Sequence, residues 1–292
     1  MNYQRRDFLK VAAMLTSGLA LTQLVGCNST SKLAGGKKPF GLQLYTLRNE
    51  MAKDPKAVLK QVAGFGYKQI ESFEGAQGMF WGMGNTGFKS YMDELGMTIV
   101  SSHCDINKDF ERKAGEAAAI GMKYLICPHY GAQKTLDDYK KAADKFNDRG
   151  EICKKAGIRF AYHNHDYSFA IKDNQFPQDI MMQNSNKETV DFEMDVYWVV
   201  TAGQSPIEWI NKYPDRFKLF HIKDRKKDAT PDKKAAFAVL GTGQINYPEI
   251  TKLAEKKGNP YFIVEQDQTD ESPLLAVERN AEYMKNVIMA KL

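Results

Sequence analysis

Eight short apolar runs, each followed by an amphipathic stretch, predict an α/β fold closed into a (β/α)8 barrel, built as a single domain. Two further observations agree. The connections are short, as a parallel sheet wound in one direction until it closes requires. The first run is followed by Thr46-Leu47-Arg48-Asn49-Glu50, not by the glycine-rich phosphate loop that an open, doubly wound sheet usually carries there. The 292 residues, 43% hydrophobic and 26% charged, suit one such barrel.

Residues 1–26 are expected to be a targeting segment and not part of the fold. Gln4-Arg5-Arg6-Asp7-Phe8-Leu9-Lys10 resembles a twin-arginine export signal. The apolar run from Val11 to Val25 is too short to span a bilayer comfortably. It ends in Leu24-Val25-Gly26-Cys27, which resembles a lipobox with Cys27 as the lipidated first residue of the mature chain. The expectation is an exported periplasmic or cell-envelope lipoprotein, held to the membrane through a lipid on Cys27. Residues 27–38, rich in Ser, Gly and Lys, form a flexible tether, and the barrel occupies residues 39–292.

The eight strands are expected at Phe40–Leu47, Tyr67–Phe73, Met97–His103, Lys123–His129, Ile158–His165, Val190–Tyr197, Phe217–Lys223 and Tyr261–Gln266. Helix signals lie between them. Asp54-Pro55 opens a helix with Val58, Val62 and Phe65 on one face, and Gly66 ends it. Thr135-Leu136-Asp137-Asp138 has capping-box form and starts a stripe of Leu136, Tyr139, Ala143, Phe146 and Cys153 that stops at Gly157. Ser205-Pro206 and Ser272-Pro273 place a capping serine before a first-turn proline, and Pro248–Lys257 is the expected helix after the seventh strand. Cys104, Cys127 and Cys153 are odd in number and imply no disulfide framework; buried free thiols are the simpler reading. The net charge of +5 is small and scattered, which argues against nucleic acid as a partner. Oligomeric state leaves no mark in the sequence.

Polar residues gather at the ends of the last four strands: His163-Asn164-His165, Asp195, His221 and Glu265. Barrel enzymes draw their active groups from these ends. Strand side chains alternate. His163 and His165 therefore share a face with Ala161, Asp195 with Asp191 and Glu193, His221 with Leu219 and Lys223, and Glu265 with Ile263 and Asp267. Buried charges on four neighbouring inward faces are costly unless paired or bound to a cation, so this set is the expected divalent-metal site. The loop Glu74–Asn85, mobile by composition, carries Trp81 and other aromatics that could stack on a sugar ring and close over it.

Tyr162-His163-Asn164-His165-Asp166, Glu193–Trp198, His221-Ile222-Lys223-Asp224, Gly241–Tyr247 and Val264–Asp267 resemble motifs of the xylose-isomerase-like TIM barrels, the sugar phosphate isomerases/epimerases. The resemblance implies a divalent cation, most often manganese, with zinc, magnesium or cobalt as alternatives. It implies Glu, Asp, His and Glu as ligands from strands five to eight. Asp195, His221 and Glu265 match the last three; His163 or His165 stands where the family has its first glutamate. Family members use two metal-bound glutamates to move a proton beside a polarised carbonyl. Here Glu265 is the surviving carboxylate, with His163, His165 and Lys223 as further catalytic candidates, and His103, His129, Trp81 and Asp224 as candidate substrate contacts. The expected substrate is an unphosphorylated keto-sugar, because export removes the chain from most sugar phosphates. The expected reaction is isomerisation or epimerisation through an enediolate. The alternatives are β-elimination or hydrolysis of a 3-keto-glycoside, and a sugar-binding lipoprotein without catalysis.

Overall fold

A computed structural model describes residues 38–230 and 232–292. The expected targeting segment, Cys27 and nearly all of the tether lie outside the described residues. The strands are β1 Gly41–Gln43, β2 Gln69–Phe73, β3 Thr98–His103, β4 Tyr124–Cys127, β5 Arg159–His163, β6 Val190–Asp195, β7 Phe217–Ile222, β8 Asp224–Arg225, β9 Phe237–Ala238 and β10 Tyr261–Val264. Eight of them close into a barrel in the order β1-β10-β7-β6-β5-β4-β3-β2, every pair parallel. This is the (β/α)8 barrel. β8 and β9 form a separate antiparallel hairpin that the sequence pattern did not reveal, since two residues are too few to show a period.

All eight expected barrel strands form, but most stop earlier than the apolar runs do. Side chains at the strand ends account for two of these stops. Gln43 accepts a hydrogen bond from the amide of Tyr45 at 3.0 Å and turns the chain into a 3-10 turn over Leu44–Leu47. Asp195 accepts from the amide of Trp198 at 3.2 Å and starts the helix Val196–Thr201, so Val196 and Tyr197 are helical and not strand.

All but one of the expected helix caps function as read. Asp54 caps Pro55–Phe65, accepting from the amide of Ala57 at 3.0 Å. Thr135 and Asp138 form the reciprocal capping box of Leu136–Ala156. Gly66 and Gly157 end these two helices at φ +101° and +85°, a backbone conformation that side chains strongly disfavour. Ser205 caps Pro206–Lys212, whereas Ser272 makes no such bond before Pro273–Tyr283.

Strand faces divide the core in two. The larger part lies between strands and helices and includes Leu42, Ile70, Leu125, Phe160, Phe192 and Phe220. The smaller part fills the barrel interior with Val100, Tyr124, Ile126, Ala161 and Leu219. Burying each of these larger side chains contributes about 1.5–3 kcal/mol before entropy is counted. The interior plug floors the site above it. Cys104, Cys127 and Cys153 are free and buried, as expected. Among the described residues no helix is long and apolar enough to cross a membrane.

Candidate metal and catalytic site

Alternation along the strands turns Asp191, Glu193 and Asp195 inward from β6 in successive layers. Asp191 lies lowest and is spent on Arg159 of β5, whose Nη2 donates to it at 2.9 Å. Asp195 lies at the rim with His163, His221 and Glu265, one ligand atom from each lying within 4.8 Å of the others, all four buried. The expected metal set is therefore brought together, with His163 and not His165 as its member from the fifth strand.

The chemistry of these donors fits a divalent cation. The Pro128 carbonyl lies 2.8 Å from Nδ1 of His163 and accepts its proton. Nε2 lies 3.1 Å from Oδ2 of Asp195. A bound cation would take the place of a proton between these two atoms. Nδ1 of His221 is buried and comes within 2.8 Å of Oε2 of Glu265. Two imidazole nitrogens and two carboxylates constitute a first-row divalent-metal donor set.

A second layer lies below. Nε2 of His221 is 2.7 Å from Oε1 of Glu71, a carboxylate–histidine pair that presents Nδ1 to the rim. Glu71 also accepts from Gln43 at 2.7 Å and Ser101 at 2.5 Å. His103 bridges Glu193 at 2.8 Å and Glu71 at 3.1 Å. Burial alone would raise the Glu71 carboxyl, but His103 and His221 hold it well below the ordinary range. Burial alone would lower His103, but Glu71 and Glu193 raise it to about 9.

The groups around the rim carry unlike charges. Nζ of Lys223 lies 2.9 Å from Asp195, 2.6 Å from Glu265 and 3.0 Å from Asp267. Burial would lower its pKa, but these three carboxylates raise it well above the ordinary value, so it is an ammonium. Glu265 is an ionised carboxylate: Lys223 and His221 outweigh its burial. His165, by contrast, is pushed well below its usual value by burial and then by His163 and Lys223. It is a neutral imidazole, its Nδ1 without a hydrogen bond, stacked on Tyr167 with ring centroids 5.7 Å apart. His129 is lowered too, by burial and by His163. A cavity of about 270 Å³ opens over these groups, walled by His103, His129, His163, His165, Lys223 and Glu265 among others.

Two expected substrate contacts lie elsewhere. Trp81 is buried, donates to Ser72 Oγ at 3.1 Å and packs edge-on against Phe73, which ties its loop down. Asp224 is 1% exposed. Its two oxygens accept from the amides of Arg225, Gly241, Gly243 and Ile245 at 2.8–3.2 Å, leaving none for a substrate. Conversely Glu71, Gln43 and Ser101 join the site without having been expected there, and Glu193 and Asp267 do so from inward faces already expected for strands six and eight. Glu71 and Ser101 carry a signal in the sequence, since they are inward polar residues in apolar strands of the first half.

The chain belongs to the xylose isomerase-like TIM barrel family, whose model matches residues 59–287. A sugar phosphate isomerase/epimerase from Parabacteroides distasonis is 30% identical in sequence; the superposition covers 88% of this chain and 96% of that one, with a TM-score of 0.74. A xylose isomerase-like TIM barrel protein from Mycobacterium smegmatis, solved in complex with magnesium, shares the fold at 16% identity, 87% and 97% coverage, and a TM-score of 0.66. Inosose dehydratase of Clostridium perfringens is 26% identical over 164 residues, 51% of this chain and 54% of that protein. The chain thus spans about half the length of several curated relatives it matches.

Proposed function

We propose that this chain is a metal-dependent enzyme acting on an unphosphorylated keto-sugar. It removes the proton beside the ketone and expels the substituent on the next carbon, a dehydratase- or lyase-type outcome. The observation that carries this reading is the pairing of unlike groups across the cavity, the His165 imidazole on one side and the Lys223 amine, 3.0 Å from Asp267, on the other. Elimination needs one base and one acid, whereas a symmetrical proton shuttle needs two matched carboxylates. The inosose dehydratase likeness supports the same outcome.

His163, Asp195, His221 and Glu265 would hold the cation, which when bound polarises a carbonyl and offsets the charge of an enediolate. His165 accepts the proton at Nε2, the ring nitrogen that is not buried, and electrons move into the carbonyl. Their return breaks the bond to the leaving group, and Lys223 supplies that group's proton. Glu265 and Asp267 hold the Lys223 ammonium in place. Manganese is our proposed cation. Zinc and copper would outcompete it on affinity alone, so loading before export would favour it. Metal analysis of protein matured in the cytoplasm tests this, and absence of any bound cation would defeat it. The export signal and the lipobox at Cys27 support a periplasmic or envelope lipoprotein, which the intact mass of the mature N-terminus would check.

The second reading is isomerisation or epimerisation, favoured by the Parabacteroides relative's similarity along nearly its whole length. Proton NMR of a panel of 3-keto-glycosides and free ketoses, with and without chelator, separates the two. Release of a leaving group supports elimination. Epimer formation or exchange without bond cleavage supports the second reading, and no chelator-sensitive change in any substrate defeats both.

A further inference from the structure

The cavity over the donor set does not end there. At about 270 Å³ it is smaller than the roughly 300–1,000 Å³ of most small-molecule sites, room for one sugar ring. Tyr45, His103 and Pro128 also border a second space of about 380 Å³. Cys104, Asp105 and Pro128 carry this on into a third of about 580 Å³, over the ends of β3 and β4. Pro128 borders all three, so the spaces adjoin one another in a row leading outward from the reacting centre.

The outer chamber is built for hydroxyl groups. Asp105, Asn107, His129, Gln133 and Lys145 make up half of its lining residues. Lys145 donates to the Asn107 side chain, and the amide of Asn107 donates to Asp105 at 2.8 Å. The loop carrying Asp105 and Asn107 is held rigid. Glu74 accepts from the amide of Asp105 at 2.8 Å. Lys113, only 2% exposed, donates to Glu74 at 2.6 Å and to the Asp105 carbonyl at 2.9 Å. Midway, Tyr45 is 41% exposed, its ring held by Phe73 at 5.3 Å and by the Arg48 guanidinium over one face at 4.5 Å.

We infer that the chamber over Asn107 and Lys145 binds a second sugar ring, which makes the substrate an oxidised disaccharide or sugar glycoside and not a free monosaccharide. The inference rests on the keto-sugar reading for the occupant of the inner cavity. An apolar aglycone fits the chamber less well, because it would strand the Asp105, Asn107, Gln133 and Lys145 polar atoms without water.

Calorimetric titration of the metal-loaded protein with glucose, cellobiose, maltose and trehalose tests this without turnover, since none carries the ketone. At least one disaccharide should bind ten-fold or more tighter than glucose. The ratio should fall to near one in Asn107→Trp, which fills the chamber from an exposed position, and fall several-fold in Lys145→Ala. If no disaccharide exceeds glucose, or if the ratio survives Asn107→Trp, the inference is overturned. Deuterium exchange beside the ketone of a keto-monosaccharide reads the proposed reaction separately. A disaccharide preference without exchange would defeat the reaction but keep the chamber. Exchange without a preference would do the reverse.

Discussion

His165 and Glu265 border one cavity, but their surroundings assign them different work. His165 is neutral, with an unpaired ring nitrogen, while Glu265 is committed to Lys223 and the donor set. His165→Gln should therefore lower proton abstraction about 10²–10⁴-fold with metal content unchanged. Glu265→Gln should lose metal as well as turnover. Deuterium exchange and metal analysis on the same preparations distinguish the two, and equal metal loss in both variants would refute the division. Glu71 makes a third case, since it touches His221 and not the rim. Glu71→Gln should weaken metal binding roughly 10–100-fold while the protein stays folded, the usual cost of removing a histidine ligand's outer partner. A competition titration against a chromogenic chelator would measure it, and wild-type affinity would count against the proposed presentation of Nδ1.

The loop Gly241–Ile245 depends on a single carboxylate. Four amides converge on Asp224, and hydrogen bonds to a buried charge are each worth about 1.5–3 kcal/mol. Gly243 must come close for this: a Cβ there would meet Asp224 Oδ1 at 2.2 Å and the Arg225 carbonyl at 2.4 Å. Gly243→Ala should cost about 1–3 kcal/mol and Asp224→Ala more, both read from urea unfolding. A neutral result for Gly243→Ala would mean that the loop gives way easily and is not clamped. Both the motif Gly241–Tyr247 and the motif His221-Ile222-Lys223-Asp224 are visible in the sequence. What the sequence could not convey was that Asp224 serves the loop and not a ligand. A carboxylate just past the expected seventh strand has no parity to aim it, and three of its four partners lie 17 to 21 residues onward.

At the scale of the whole barrel, what was legible followed period and punctuation. Eight apolar runs with caps and terminating glycines specified the closed sheet, and alternation aimed His163, Asp195, His221 and Glu265 at one point. Contacts that join distant strands were less legible. Glu71 meets His221 across 150 residues, and His103 meets Glu193 across 90, because closing the barrel opposes strands that no local pattern links. That cross-barrel layer gives the molecule a pH signature. His103 has an ordinary value of 6.5, raised to about 9 in the fold by Glu71 and Glu193 against its burial, with the rings of His163 and His221 also facing it. Its charged form binds the fold more strongly than its neutral form does. The resulting stability, on the order of 3 kcal/mol, is fully present below pH 6.5 and is lost as pH rises through about 9. Chelated protein should therefore show a falling urea midpoint across that window. His103→Asn, which keeps a donor but cannot titrate, should flatten the fall. If the variant shows the wild-type slope, the loss belongs to another group, and the Glu71–His103–Glu193 layer is not what holds the metal-free barrel together at neutral pH.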